Sequence, residues 1–207
     1  MAHLLYGAGA TAGERVLFDP AKMLGTAERM DFAGHNAFAV EASATGSVLR
    51  STPNDSASGL YESVRAPGGA LASVSWRWRV DQLQTHADLR KLESEDTGAV
   101  VFFIFGEPSM FHRDVPTIAY LWSATPVADG TVLQSLRYAS LRYLQLRGRA
   151  DAGAWRTETR NVAADFRAIF GFEPPELRKV AIFNDNDQTK EPTSALFGPI
   201  ICTTPCQ

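Results

Sequence analysis

The alternation of apolar and polar positions is mostly of period two, the mark of strands that bury one face. Phe38 to Ala42 alternates, and Ser47 to Arg50 follows after Gly46, which predicts a hairpin. Leu60 to Val64 reads as a further short strand, closed by Pro67-Gly68-Gly69. Leu71 to Val80 gives the clearest pattern: Val74, Trp76, Trp78 and Val80 share one face, and Ser73, Ser75, Arg77 and Arg79 share the other. Ala99 to Phe105 is apolar throughout, so it reads as a strand buried on both faces. Thr117–Trp122, Thr131–Tyr138, Ser140–Arg147, Leu177–Phe183 and Ser194–Cys202 continue the series, with Ala128-Asp129-Gly130 as a turn. Gln82 to Glu95 is polar and reads as an exposed loop or short helix.

One helix is expected, Asn161 to Phe170. Its apolar stripe is Val162, Phe166, Ile169 and Phe170, with Asn161 as cap and Gly171 as stop. About nine short strands at even spacing with one helix predict an all-β, single-domain β-sandwich or jelly roll over residues 1–207. Residues 1–15 are expected to form a flexible N-terminal segment. No repeat of solenoid or propeller period is visible.

Composition narrows the functional classes. The chain of 207 residues carries 20 Lys and Arg against 23 Asp and Glu, a net charge of −3, so no broad basic field invites nucleic acid. No apolar run is long enough to span a bilayer. The start, Met1 to Gly13, lacks a basic leading region, so a secretory signal is expected to be absent or already removed. His3, His35, His86 and His112 are scattered and give no HExxH spacing. There is no GxSxG elbow and no GxGxxG or Walker loop, and Gly7-Ala8-Gly9-Ala10 lacks both a preceding strand and a final glycine. Cys202 and Cys206 are either two thiols or the two ends of a small terminal clip that would stabilise the fold little.

Three clusters carry candidate chemistry. The first is Trp76-Arg77-Trp78-Arg79. Burial of both tryptophans places Arg77 and Arg79 on an open, concave face, where guanidinium forks suit carboxylate, sulfate or sugar hydroxyls. The alternative makes the tryptophans a stacking platform for sugar rings. The second cluster is the i,i+2 pair Tyr120 and Trp122, followed by Arg137, Tyr138, Arg142 and Tyr143, an arginine and tyrosine surface suited to an acidic or polyhydroxylated ligand. Burial of Trp122 beside Ile118 and Tyr120, or a merely solvated arginine and tyrosine face, is the competing reading.

The third cluster is Asn184-Asp185-Asn186-Asp187-Gln188-Thr189, where Asp185 and Asp187 offer oxygens to a hard cation such as calcium. It departs from an EF-hand, with Lys190 at the sixth place and Leu196 at the twelfth, and a plain Asx turn accounts for it equally. Glu93-Ser94-Glu95-Asp96 can add a carboxylate. Acid and base candidates for glycan chemistry reduce to Asp96, Asp165, Asp185 and Asp187, of which Asp96 and Asp165 are the weak catalytic choices outside the acidic run.

The order of motifs resembles a bacterial family, domain-of-unknown-function family 3047. The residues that carry it are Ser56-Ala57-Ser58-Gly59-Leu60, Trp76-Arg77-Trp78-Arg79-Val80, Asp96 leading into Val101 to Phe105, and Tyr120-Leu121-Trp122-Ser123. Arg160-Asn161-Val162, Asp165-Phe166-Arg167, Phe170-Gly171 and Asp185 to Thr189 complete it. The similarity runs from about Phe32 to Ile200. Val100 stands where the family pattern has an arginine, and Glu95-Asp96 where it has a doubled acid. The resemblance implies a carbohydrate-binding-like jelly roll in an exported or envelope protein, periplasmic or secreted, and transfers no catalytic residue. The function expected is a non-catalytic module binding a polysaccharide or other polyhydroxylated ligand through Arg77, Arg79, Trp122, Arg137 and Tyr138, with either no cofactor or a structural calcium at Asp185 and Asp187. A glycan hydrolase or lyase, or an envelope interaction protein, is the alternative.

Overall fold

Alternating strands need partners on both edges and a second layer over their apolar face, and the chain supplies both. A computed structural model describes residues 13–107, 114–203 and 206. In chain order the strands are β1 (Arg15–Phe18), β2 (Glu28–Ala33), β3 (Ala37–Ser43), β4 (Gly46–Thr52), β5 (Ala57–Ala66), β6 (Val74–Gln82) and β7 (Ala99–Phe105). They continue with β8 (Thr117–Trp122), β9 (Val132–Gln134), β10 (Leu141–Arg147), β11 (Arg156–Arg160), β12 (Leu177–Asp185), β13 (Ser194–Phe197) and β14 (Ile200–Cys202). A single turn of helix, α1 (Met23–Thr26), precedes β2, and α2 (Val162–Phe170) is the one substantial helix among the described residues. His3, His112, the Gly7 to Ala10 stretch and most of the N-terminal segment lie outside the described residues.

Two seven-stranded sheets form the sandwich. The first runs β1-β14-β6-β13-β4-β3, with β11 on the other edge of β6, and the second runs β2-β5-β12-β7-β8-β10-β9. All pairings are antiparallel except β8 with β10. The alternation read from the sequence sets the layers. Val74, Trp76, Trp78 and Val80 of β6 face Ala99, Val101, Phe103 and Phe105 of β7 and Ile118, Tyr120 and Trp122 of β8 in one core. The β3–β4 hairpin and α2 form as expected. The Asn161 side chain accepts from the Ala164 amide, and Gly171 ends the helix at φ 79°.

Four differences have local causes. The run 194–202 divides at Gly198-Pro199, because proline lacks the amide that a continuous ladder needs. Only Val132–Gln134 of the expected strand 131–138 pairs, since residues 135–140 turn back over the sheet, where the Ser135 hydroxyl accepts from the amides of Arg137 and Tyr138. β12 extends to Asp185, so Asp185 is a strand residue paired with Ala57 and not part of a turn. Finally, β1, β2 and β11 are edge strands with weak alternation, and long-range pairing forms them.

Cys202 and Cys206 form a disulfide. The closed loop is so short that chain entropy predicts only about 2 kcal/mol of stabilisation. Urea unfolding with and without a thiol reductant is expected to show a loss of that order.

Candidate functional site

The second sheet has an apolar outer face as well as a core face. Val100 and Phe102 of β7, Ala119 and Leu121 of β8, and Ala181 and Phe183 of β12 form a separate cluster there, with Leu141 of β10 and Ala57 of β5. A sheet face left to water would be polar, so this face is built to be covered. Over it lies a cavity of about 230 Å³. The parity that points Ala181 and Phe183 outward also carries Asp185 into the cavity wall. The opposite parity sends Asn184 inward, where it accepts from the Ser51 hydroxyl at 2.6 Å and from the Asn36 side-chain amide at 2.9 Å. That buried polar seam fixes the end of β12 between the two sheets.

Three carboxylates converge at this end of the cavity, one oxygen each from Asp96, Asp185 and Asp187 lying within 4.8 Å of the others. Asp96 is fully buried and anchors the following loop. It accepts from the Gln188 amide at 3.1 Å and from the Thr189 amide and hydroxyl at 2.6 and 2.5 Å. Asp185 is 7% exposed. Its Oδ1 accepts from the Thr97 amide at 2.7 Å and hydroxyl at 2.5 Å, while its Oδ2 accepts no hydrogen bond from the described residues. Burial, reinforced by the neighbouring Asp96 charge, holds the Asp185 carboxyl well above the ordinary aspartate range. Burial and Asp96 raise Asp187 in the same way.

The same cavity is lined by Glu95 and Arg137, joined as an ion pair. Desolvation outweighs the arginine and lifts Glu95 above its usual range. Tyr143 lies deeper, and its burial pushes the phenol up. At the mouth, Phe32 packs edge-on to Phe183 at 5.7 Å and against Tyr138 at 6.2 Å. Phe32 belongs to β2 at one end of the sheet path and Tyr138 to the loop joining β9 and β10 at the other. The sheet therefore curls until its two ends meet over the cavity, leaving rings that are 54% and 42% exposed. Such a wall offers ring faces to a flat apolar surface beside a set of charged acceptors.

The structure gathers Arg137, Tyr138, Asp185, Asp187 and Asp96 at one place, and sends four other expected residues elsewhere. Trp122 cannot stack on a ligand. It is fully buried against Trp78, with ring centroids 5.7 Å apart, and its indole donates to the Gly148 carbonyl. Arg77 and Arg79 lie on the outer face of the first sheet, across the sandwich from the cavity. Arg77 stacks over Trp155 at 4.4 Å, and Arg79 is paired with Asp81. Asp165 sits in the first turn of α2, bound by Arg160 at 2.7 Å and by the Tyr120 hydroxyl at 2.6 Å, well apart from the cavity lining. Phe32, Thr97, Phe102 and Phe183 were not singled out by the sequence. For Phe183 the signal was its two-residue spacing from Asp185.

A family model described as a protein of unknown function, DUF3047, matches residues 27–201. Among solved structures, the xyloglucanase domain of NopAA from Sinorhizobium fredii, in complex with cellobiose, gives a TM-score of 0.48 at 11% identity. That match covers 97% of this chain and 98% of the other. A cellulase derived from Rhodothermus marinus Cel12A gives 0.48 at 12% identity over 84% and 90%. The family 11 xylanase of Neocallimastix patriciarum gives 0.38 at 10% identity over 86% and 100%. At these scores the likeness says nothing about chemistry. No curated protein matches the sequence.

Proposed function

The chain belongs to the DUF3047 family of proteins of unknown function, and on that footing we propose that it is a carbohydrate-binding module whose site is the cavity on the outer face of the second sheet. One observation carries the reading: exposed ring faces at Phe32 and Tyr138 stand beside Glu95, Arg137, Asp185 and Asp187 in one small concavity. A sugar ring presents an apolar face and a rim of hydroxyls, and it needs both kinds of partner. The cavity suits a chain end or a short oligosaccharide, because the Phe32–Tyr138 contact crosses its mouth.

Native affinity electrophoresis through soluble polysaccharides, run with calcium and with chelator, tests this. Retardation by one glycan without released sugar is the expected result. Tyr138→Ala is expected to weaken that retardation about tenfold, the order of one lost aromatic contact. Its unfolding midpoint should shift little, since the ring stands at the cavity mouth, 42% exposed and outside the core between the sheets. No retardation by any glycan would overturn the reading.

A second reading has one observation in its favour. Burial beside other carboxylates holds the Asp185 carboxyl above the ordinary aspartate range, the character of a general acid, so glycan hydrolysis or lysis on the same scaffold is the alternative. Accumulation of reducing ends or unsaturated products during incubation would establish it. Export to the periplasm or medium is part of the proposal. The terminal disulfide supports it, because such bridges persist in oxidising compartments. Chelator sensitivity of the retardation would assign calcium to Asp185 and Asp187.

A further inference from the structure

The hydrogen-bonding capacity of the cavity is unbalanced. On the acceptor side, among the described residues, no donor reaches Asp185 Oδ2, and Asp187 Oδ1 and Gln188 Oε1 are both buried without one. The remaining oxygen of Asp187 already takes the Gln188 side-chain amide at 2.8 Å, and both oxygens of Asp96 are occupied by the Gln188 and Thr189 donors. On the donor side, Arg137 gives its Nε–H to Glu95, and the Thr97 hydroxyl is given to Asp185. A buried acceptor without a donor is unfavourable, so the occupant must bring donors and positive charge. Aromatic rings at the mouth favour the same charge.

Resting on the carbohydrate reading, we propose that the ligand is an amino sugar with a free amine, its ammonium seated among Asp185, Asp187 and Gln188. An ammonium carries three donors and no acceptor, the complement of the three unspent oxygens. A neutral sugar hydroxyl brings one donor and two lone pairs, and leaves the excess of acceptors in place. A uronic acid adds a fourth carboxylate to the group. Calcium wants six to eight oxygens, of which these side chains have only three unspent.

The test is calorimetric titration of the full chain with glucosamine, glucose, N-acetylglucosamine and glucuronate, each with and without calcium. Glucosamine is expected to bind at least tenfold more tightly than glucose or N-acetylglucosamine, and glucuronate not at all. In Asp187→Asn the preference for the amine should fall to within about twofold. Equal binding of glucosamine and glucose would overturn the amine assignment while leaving the carbohydrate site standing. Preference for glucuronate, or binding only with calcium, would overturn it as well. If no sugar or polysaccharide binds, the carbohydrate reading itself fails. The comparison of ligands on the unaltered protein keeps the test decisive should the variant misfold.

Discussion

Trp78→Ala is expected to lower the unfolding free energy by about 4 kcal/mol, the usual range for emptying a tryptophan site in a core. Trp78 is wholly buried and stands edge-on to Trp76 at 5.9 Å and to Trp122 at 5.7 Å, so its ring bridges the two sheets. Its indole also donates to Glu158 at 3.0 Å. Glu158 keeps its ion pair with Arg147 at 2.7 Å, so the variant loses packing without stranding a charge. The contrasting variant is Trp155→Ala, where a partly exposed ring outside the core carries the Arg77 guanidinium at 4.4 Å. There the expected loss is about 1 kcal/mol. Denaturant midpoints of the two variants give the comparison. Equal losses would mean that the tryptophan ladder is not the seam between the sheets.

That ladder shows which parts of the fold were legible. Alternation is a local property, so the inward faces of β6, β7 and β8 can be read from the sequence and the structure keeps them. Which outer face carries the cavity is not local. Arg79 and Arg137 are the same residue type in similar surroundings of sequence, yet one meets Asp81 two positions away and the other meets Glu95 across the sheet. Only the pairing of β12 between β5 and β7 tells them apart. The acidic run was misplaced for a related reason. Asn184 to Asp187 has turn composition, but pairing of Asn184 with Ser58 and Asp185 with Ala57 extends the ladder two residues beyond Phe183. Phe32 was invisible because an exposed edge strand has no alternation to display, and its ring gains meaning only where the curled sheet brings Tyr138 to it.

The Asp185 carboxylate gives the sharpest opposition between stability and binding. Its Oδ1 bonds to Thr97 serve an amide oxygen equally well, so Asp185→Asn keeps the strand end in place. What the change removes is a charge in a nearly waterless position with Asp96 and Asp187 close by. The folded carboxyl is raised above its unfolded value, so the folded state holds its proton more tightly than the unfolded state. Stability drawn from this group is complete below the ordinary aspartate range and is lost as pH rises toward the raised folded value. Asp185→Asn is therefore expected to unfold later than the unaltered protein at pH 7, by about 1 to 3 kcal/mol, as when other buried charges are neutralised. The gap should narrow at pH 4, where the native carboxyl is also protonated. Glucosamine binding should fall at least tenfold in the same variant, because the oxygen left to the ligand has become an amide nitrogen that donates. Paired denaturation curves at the two pH values and one titration check all three statements. A variant less stable at pH 7 would show that the charge is held by a favourable partner, and an unchanged affinity would remove Asp185 from the site. The physical reason for retaining an aspartate at this position is then its ligand, since the fold alone is better served by asparagine.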